Sequence, residues 1–480
     1  MPSLYDLAYA AGLGLTAPFW LLAPSARRKV LGALRARTGN DIPERYGPPA
    51  ILIHAVSVGE VNSTPSLIAE LRRRVRGLEF VVSTTTETGL ERGRQLFAAS
   101  PDVLVVRFPL DLTFAISRLL DRIRPSLVVL MELEVWPNFL RQCGKRGIPV
   151  VVAAGRITET AFRRYRRLGP VARAMFSRLS AVAAQDQVYA GRFEALGVPR
   201  ERIAVLGTMK FDNAALVDRV EGADELAREL GLRPDAEPIL VAGSTGPGEE
   251  EILLSVYRRL LADHPALRLV IVPRHPPRFD EAARLIRAAG FTCLRRSAAR
   301  SGSPPLEPAP RPEADRPAAF NSTSAEARSE STAASPPAAE SVSVSTMGQL
   351  RPPVVLGDTM GELRKFYSLA TVVFVGRSLV DLGPRQHGSD MIEPAALARP
   401  TIVGPYTSNF DMPVRRFREA GAIVEVTTAE ALLQAVHQLL CDADYRARLG
   451  QRAREVVRAE QGSTGRHVEL IVKTLPADGR

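Results

Sequence analysis

The sequence predicts an α/β protein built from two parallel-sheet domains. Short apolar runs alternate with stretches of helical apolar spacing along most of the 480 residues, which is the pattern of repeated βαβ units. The runs are apolar throughout, as expected for strands that helices cover on both faces. A chain of this length exceeds one ordinary core, and a polar segment at 297–353 interrupts the pattern. We therefore expect two similar domains that face one another across a cleft.

An apolar segment near the N terminus predicts a membrane anchor over residues 1–30. The stretch 7–24 carries no charge and is followed by a basic cluster at 27–29. A secretory signal would carry its positive charge before the apolar stretch, whereas basic residues after a span stay on the cytoplasmic side. We predict a single membrane anchor, with the body on the cytoplasmic face. A buried or interfacial helix is the alternative, because this stretch is at the short limit for spanning a bilayer.

The first domain, residues 31–215, is organised around the apolar run at 51–54 and the loop that follows it. Helical spacing then covers 64–75, so strand, short loop and helix form the first βα unit. In open α/β sheets the ligand lies at the carboxyl ends of the strands, which places Glu60 at the functional edge. Ser57 and Glu60 also have the spacing of a capping box. The pattern alone leaves Glu60 open between a capping role and a catalytic one.

The other strands of the first domain also end in polar or charged residues. Glu132 directly follows one apolar strand, and Lys210 follows the last one after a short loop. Such residues are expected at a ligand-facing edge. Strands are predicted at 80–84, 103–106, 127–131, 150–154, 181–184 and 203–206.

The second domain comprises residues 216–296 and 354–480. Helices from residue 429 to the end complete it, and its strands are predicted at 239–242, 269–272, 354–356, 372–375 and 401–403. The intervening segment, 297–353, consists mainly of Ser, Ala, Pro and Glu. Such a composition cannot bury enough apolar area to offset the entropy of ordering. We predict a disordered surface insertion that is dispensable for chemistry.

Composition and missing motifs restrict the possible functions. The formal net charge of +11 favours an anionic partner, but no basic stripe interleaved with aromatic residues indicates nucleic acid. The three cysteines form no CxxC pair, which favours a reducing compartment. Neither a Walker A sequence nor a GxGxxG after a strand is present, and no His, Cys and Asp pattern has metal-ligand spacing. We expect no cofactor and no metal.

Several residues at the edge of the second domain are suited to a nucleotide. Arg274 follows a strand and has the charge to neutralise a phosphate, although an Arg there is usually a surface residue. The segment 358–362 opens a helix whose amides suit a phosphate or a base, although it also fits a plain helix start. Glu393 is placed to accept two ribose hydroxyls, or simply to complement a helix dipole. None of these signals is decisive alone.

Six motifs occur in series along the chain: HAVSVGE at 54–60, MELEVWPN at 131–138, KFD at 210–212, PRHP at 273–276, DTMGEL at 358–363 and IEPA at 392–395. Taken in this order they closely resemble one family, the 3-deoxy-D-manno-octulosonic acid (Kdo) transferases, glycosyltransferases that add Kdo to lipid A precursor. The resemblance runs from the apolar N-terminal segment to the C-terminal helices and omits only the insertion. It implies a GT-B fold of two Rossmann-like domains, a CMP-Kdo donor, lipid A precursor (lipid IVA) as acceptor and no metal.

The resemblance also implies roles for individual residues. Glu60 matches the general base, and Glu132 and Lys210 match residues that stabilise the transition state. A positioned carboxylate suits the first role, because an acceptor hydroxyl must lose its proton as the new bond forms. An anionic inner-membrane lipid surface suits a basic enzyme with this acceptor. The matching CMP-binding positions are Pro273, Arg274, Met360, Gly361, Glu362, Asp390, Met391, Ile392 and Glu393.

Two departures from the family pattern keep alternatives open. The loop at 383–391 is longer than the family's and has Asp390 where Asn is expected, and an ionised Asp cannot donate a hydrogen bond. Arg377 stands where the family commonly has a second Gly. The chain is therefore interpreted as a Kdo transferase. The alternatives are a GT-B transferase that uses another nucleotide sugar, or a catalytically silent, membrane-tethered binding protein.

Overall fold

The computed structural model describes residues 5–7, 9, 11–12, 37–48, 50–301, 351–383 and 386–476. The predicted anchor at 1–30 lies mostly outside these residues, and so does most of the predicted insertion. In the part of the chain that is described, no helix is long and apolar enough to cross a membrane.

Two compact units make up the described chain, and each contains one parallel sheet of seven strands. The first unit comprises residues 1–215 and 457–480, and the second comprises residues 216–456. Both sheets are covered by helices on their two faces, and their central strands are buried almost completely. The prediction of two parallel-sheet α/β domains is confirmed.

The first unit begins with alternating strands and helices, as its apolar runs predict. Its strands are β1 (Ala50–His54), β2 (Glu79–Thr84), β3 (Val103–Arg107), β4 (Pro125–Met131), β5 (Val150–Gly155), β6 (Ala181–Ala184) and β7 (Ile203–Val205). Its helices up to that point are α1 (Val58–Arg74), α2 (Glu87–Leu96), α3 (Thr113–Ile123), α4 (Pro137–Lys145), α5 (Glu159–Arg167), α6 (Pro170–Phe176) and α7 (Gln187–Ala195).

The strand order of the first sheet defines where a ligand would lie. The order is β3-β2-β1-β4-β5-β6-β7, so successive strands run outward from β1 in one direction and then from β4 in the other. β1 and β4 are hydrogen-bonded neighbours, with Leu52 opposite Val128. The crevice beyond the carboxyl ends of β1 and β4 is therefore the topological switch point, the usual ligand position in such sheets.

The second unit repeats this architecture in the order β10-β11-β9-β8-β12-β13-β14. Its switch point lies beyond the carboxyl ends of β8 and β12. The strands are β8 (Ile239–Thr245), β9 (Arg268–Pro273), β10 (Cys293–Arg295), β11 (Val354–Leu356), β12 (Val372–Val375), β13 (Thr401–Val403) and β14 (Val424–Glu425). The helices are α8 (Ala223–Glu229), α9 (Glu249–Asp263), α10 (Phe279–Ala288), α11 (Arg296–Ser301), α12 (Leu363–Leu369), α13 (Ile392–Ala396), α14 (Asp411–Glu419), α15 (Ala429–Cys441) and α16 (Ala443–Glu460).

The last helix, α17 (Ser463–Thr474), corrects the predicted boundary of the second domain, which placed 354–480 in one body. It packs on α1, β5 and β6 of the first unit. Val468, Ile471 and Leu475 are buried in the core of that unit. The apolar stripe of a helix predicts that one face is covered, but it does not identify the sheet that covers it.

Other differences from the sequence prediction are local. α1 begins at Val58, six residues before the predicted start at Thr64, because Ser57 caps it directly after β1. Short strands β10 and β14 were not predicted, since each includes a charged residue and neither forms a continuous apolar run. The predicted insertion also starts too early, because Ser297 lies in α11 and its N–H donates to Asp358 Oδ1 at 2.8 Å.

Candidate active site

Glu60, Glu132 and Lys210, the three residues predicted to be catalytic, line one pocket of the first unit. Glu60 lies in the first turn of α1, after β1, and Glu132 directly follows β4, so these carboxylates flank the switch point. Lys210 lies in the loop that follows β7. The remaining lining residues are Gly59, Ser63, Met131, Ala154, Gln185, Thr208 and Met209.

The structure contains the capping box that the sequence allowed. Ser57 is the N-cap of α1, and its hydroxyl accepts a hydrogen bond from Glu60 N at 3.2 Å. In return Glu60 Oε1 accepts from Ser57 N at 3.2 Å and from Ser57 Oγ at 2.7 Å. Oε2 accepts from Val56 N at 2.9 Å. The Glu60 carboxylate is therefore held in one orientation, half-buried at the edge of the sheet.

Electrostatics at the switch point favour proton uptake. Burial and the charge of Glu132 raise the pKa of Glu60, while hydrogen bonds from Ser57 and Val56 oppose that rise. Burial and the charge of Glu60 raise the pKa of Glu134 to about 7, against a hydrogen bond that Trp136 Nε1 donates to it at 3.0 Å. Burial, reinforced by like charge, therefore raises the pKa of both Glu60 and Glu134.

Backbone strain is concentrated at the carboxyl ends of the strands. Six non-glycine residues in the described chain have positive φ, and Glu132, Ala154, Ser244 and Arg377 among them lie within two residues of such ends. Left-handed backbone is costly for L-residues and persists where the surrounding structure enforces it, commonly at functional sites. Both pocket residues of this group, Glu132 and Ala154, have φ near +50° (54° and 50°).

A buried histidine from α17 supports the base of the pocket. The Ala154 N–H donates to His467 Nε2 at 3.0 Å, and the other ring nitrogen donates to Ser463 O at 2.8 Å. Burial lowers the pKa of His467 to about 4, so its ring is neutral. Gln185 Nε2 donates to Ala154 O at 2.9 Å. Both backbone polar groups of this strained alanine are therefore satisfied by side chains.

The residues predicted to bind the nucleotide fall into two groups in the second unit. In the first, Pro273 ends β9 and Arg274 follows it, Asp390 and Met391 precede α13, and Ile392 begins that helix. Burial and the Asp390 charge raise the pKa of Glu393 to about 7, while Arg364 and Arg274 act to lower it. The charges of Arg274, Asp390 and Glu393 are therefore close enough to influence one another.

The second group is the turn between β11 and α12. Met360 is exposed, Gly361 has a φ of 84°, and Glu362 precedes the first residue of α12. The Glu362 carboxylate accepts from Arg296 Nε at 3.0 Å and also from the Thr359 hydroxyl. Although burial raises the pKa of Glu362, these contacts hold it below its usual value. The Glu362 carboxylate therefore forms these contacts with other residues of the second unit.

Four residues around these sites were missed by the sequence analysis. Glu249 is fully buried, and its carboxylate accepts hydrogen bonds from backbone N–H groups of the loops after β8 and β12. Tyr367 is buried beside Gly243, and Arg364 acts on Glu393. Glu134 lies two residues from Glu132 inside a quoted motif, so proximity to that motif was the available signal. The other three are placed by long-range packing, for which the sequence has no local pattern.

Comparison with solved structures defines the class of the fold. A glycosyltransferase from Rickettsia africae ESF-5 aligns with a TM-score of 0.55 at 13% identity, over 90% of this chain and all of that one (100%). At this identity the similarity concerns the fold alone. The protein thus has two parallel-sheet α/β domains of the kind found in GT-B glycosyltransferases.

Sequence relatives identify the family within that class. The family model described as 3-deoxy-D-manno-octulosonic-acid transferase (kdotransferase) matches residues 32–213. The 3-deoxy-D-manno-octulosonic acid transferase of Haemophilus influenzae is 34% identical over 456 residues, which cover 92% of this chain and 93% of that protein. Its counterpart in Bordetella pertussis is 30% identical over 441 residues, covering 91% and 89%. The chain belongs to the 3-deoxy-D-manno-octulosonic acid transferase family and is a glycosyltransferase that transfers Kdo.

Proposed function

We propose that the enzyme transfers Kdo from CMP-Kdo to a hydroxyl of lipid A precursor in lipopolysaccharide biosynthesis, with Glu60 as the general base. The observation that carries this proposal is the placement of Glu60, Glu132 and Lys210 around one pocket at the switch point of the first sheet. The order of motifs and the family membership support the donor and the acceptor.

Glu60 can act as a base while it caps the helix. An ionised carboxylate offers about four hydrogen-bond acceptor sites. The contacts from Ser57 and Val56 occupy two sites on Oε1 and one on Oε2. The site left on Oε2 is available to an acceptor hydroxyl, and the raised pKa makes this carboxylate a stronger base. Lys210 supplies a positive charge at the same pocket for an anionic group of the substrates.

Donor binding is assigned to the edge of the second sheet. Arg274 is exposed directly after β9, where it can neutralise the phosphate of the leaving CMP. The charge of Arg274 acts on Glu393, whose carboxylate is suited to accept hydrogen bonds from the ribose hydroxyls. Positive side chains suffice for this charge stabilisation, so the proposed mechanism requires no metal. That the two domains face one another across a cleft remains a prediction.

A basic, partly apolar surface supports binding at the cytoplasmic face of the inner membrane. The exposed side of α5 carries Arg163, Arg164, Arg166 and Arg167, and the exposed Leu168 follows it. Arginine with exposed aliphatic side chains suits an anionic lipid surface and an anionic acceptor. Flotation of the full chain with vesicles containing anionic phospholipid, compared with neutral vesicles, tests this localisation.

The experiment that tests the function measures Kdo transfer to lipid IVA from CMP-Kdo generated in situ. We expect activity in the wild type and, for Glu60→Gln, a loss of about a hundredfold to ten-thousandfold, because Gln cannot take the proton. Gln at this position can still complete the capping box, so the variant should remain folded. Glu70→Gln, at the other end of α1, is the matched control and should leave the rate unchanged.

Two results would contradict the proposal. Equal rates for Glu60→Gln and wild type would leave Glu60 with its capping role only. A folded wild type without activity would instead favour another nucleotide sugar. That result would direct attention to the loop at 386–391, where the Asp390 carboxylate accepts the Ile392 N–H at 2.8 Å.

A further inference from the structure

Arg377 lies at the switch point of the second sheet and belongs to none of the assigned sites. It lies two residues after the end of β12, and Arg274 directly follows β9, so the two residues lie beyond the strands that flank β8. The aliphatic stem of Arg377 packs beside Gly246 in the loop after β8, where a Cβ added to that glycine would lie 3.0 Å from Arg377 Cγ. Arg377 is therefore half-buried at the position where sheets of this kind bind ligands.

The backbone of Arg377 is held in a costly conformation by a dedicated contact. Its φ of 58° lies in the left-handed region that favours glycine. Its N–H donates to Glu249 Oε2 at 2.6 Å, and the Gly388 N–H donates to its carbonyl at 2.6 Å. A long cationic side chain on a strained backbone indicates that the side chain has a task.

The charges of Glu249 and Glu393 act on Arg377 and Arg274, but neither guanidinium group is neutralised by a direct ion pair in the described chain. Burial and the charge of Arg274 lower the pKa of Arg377, and both arginines act on the neighbouring His275. Glu249, the carboxylate whose charge acts on Arg377, already accepts backbone N–H bonds on both oxygens. Within the described residues no ion pair joins Arg274 or Arg377 to a carboxylate. Arg278, by contrast, is paired with Glu250 at 2.7 Å.

We propose that Arg377 forms a second cationic subsite of the donor pocket, which takes the carboxylate of the transferred sugar while Arg274 takes the phosphate. This inference rests on the proposed CMP-Kdo donor. Guanidinium and carboxylate form charge-assisted, bidentate hydrogen bonds. Kdo is an ulosonic acid, so in its activated form the carboxylate and the phosphoester oxygen are bonded to the same carbon. Two anionic groups on one carbon match two cations that follow the strands on either side of β8.

The test compares a ligand with the carboxylate and one without it, using the full chain. Arg377→Gly should lower kcat/KM for CMP-Kdo by about tenfold to a hundredfold through KM, the loss of one charge-assisted contact. The inhibition constant of CMP, which has no sugar carboxylate, should change by less than about twofold. Arg274→Gln should weaken the binding of both CMP-Kdo and CMP. Arg233→Gln, an exposed arginine of the same unit, is the matched control and should change neither.

Folding and partial rescue are controlled in the same series. Glycine is favoured at this φ, so Arg377→Gly should unfold at the wild-type temperature or above it. Asn also tolerates positive φ and provides a second variant without the charge. Arg377→Lys keeps a point charge but not the bidentate fork, and should recover part of the donor affinity.

Each outcome decides the proposal. An unchanged KM for CMP-Kdo in Arg377→Gly overturns it, and so does an equal weakening of CMP, which would place Arg377 at the phosphate. A wild type that transfers no Kdo in this assay refutes the proposed donor itself. The two failures are therefore distinguishable.

Discussion

At the residue scale, Glu60 shows how one carboxyl group can combine a structural task with a chemical one. Its hydrogen bonds to Ser57 and Val56 fix the start of α1, and they also oppose the effects of burial and of Glu132 on its pKa. The capping contacts therefore set both the orientation and the basicity of the proposed base. The two tasks can be separated by changing the partner rather than the carboxylate.

Ser57→Ala removes the hydroxyl contacts and leaves the Glu60 carboxylate in place. We expect a loss of about 1 kcal/mol in the free energy of unfolding, the usual cost of a lost N-cap. Because the Ser57 hydrogen bond lowers the pKa of Glu60, its removal raises that pKa further. The acidic limb of the kcat/KM profile for Kdo transfer should therefore move to higher pH. A limb that stays in place would mean that Glu60 is not the group that titrates in this profile.

At the element scale, the start of α4 depends on a carboxylate from another loop. Trp136, the N-cap of α4, makes no side-chain capping bond. Asp111, in the loop between β3 and α3, supplies it instead, accepting from Asn138 N at 2.9 Å and Phe139 N at 2.8 Å. This contact fixes the segment that leads from Glu132 into α4.

Asp111→Ala should lower the free energy of unfolding by about 1 to 2 kcal/mol, since two buried N–H groups at the start of α4 lose their acceptor. The rate of Kdo transfer should fall as well, because the backbone after Glu132 loses its anchor. Denaturant unfolding and the transfer assay measure the two effects. Asp121→Ala, whose exposed carboxylate pairs with Arg146, is the control and should cost about 0.5 kcal/mol or less. Equal effects of the two variants would argue against the capping role.

The same carboxyl group predicts a pH dependence of stability. Burial raises the pKa of Asp111 from 3.8 to about 7. The folded protein therefore binds more protons than the unfolded chain between these values, so this group's contribution to stability falls as pH rises through that window. The slope of the unfolding free energy against pH should be smaller in Asp111→Ala than in the wild type when unfolding is measured across this pH range.

At the scale of the whole molecule, the first unit is discontinuous in sequence. Its core includes Val468 and Ile471 from α17 and Leu475 directly after that helix, and His467 of the same helix binds the strained Ala154 at the proposed pocket. The C-terminal helix therefore contributes to both the stability and the site of a unit that begins hundreds of residues earlier.

Ending the chain after Gln461 should destabilise the first unit selectively. Burial of an aliphatic side chain contributes about 1.5 to 3 kcal/mol, so removing Val468, Ile471 and Leu475 should cost roughly 5 kcal/mol or more. Calorimetry should show an early transition for the first unit and a preserved transition for the second. A chain ending after Pro476 is the matched control and should unfold like the full chain. Loss of both transitions would mean that the two units do not unfold independently.

The sequence by itself determined the class of the fold and the position of most of its elements. Continuous apolar runs bounded by glycine, proline and polar residues are local signals, so the strands at 181–184, 354–356 and 372–375 were predicted with the bounds observed. The same signals placed Glu60 and Glu132 beyond strand ends. The order of the motifs then identified the family.

The tertiary structure alone decided which segments meet. It assigned α17 to the first unit, made Asp111 the cap of α4, and placed Arg377 and Arg274 beyond the two strands that flank β8. These partners are tens to hundreds of residues apart in the chain. Whether a segment forms a strand or a helix depends on neighbouring residues, which the sequence displays directly. Which elements pack together depends on surfaces that exist only once the sheets have formed, and it is this packing that builds the pocket around Glu60.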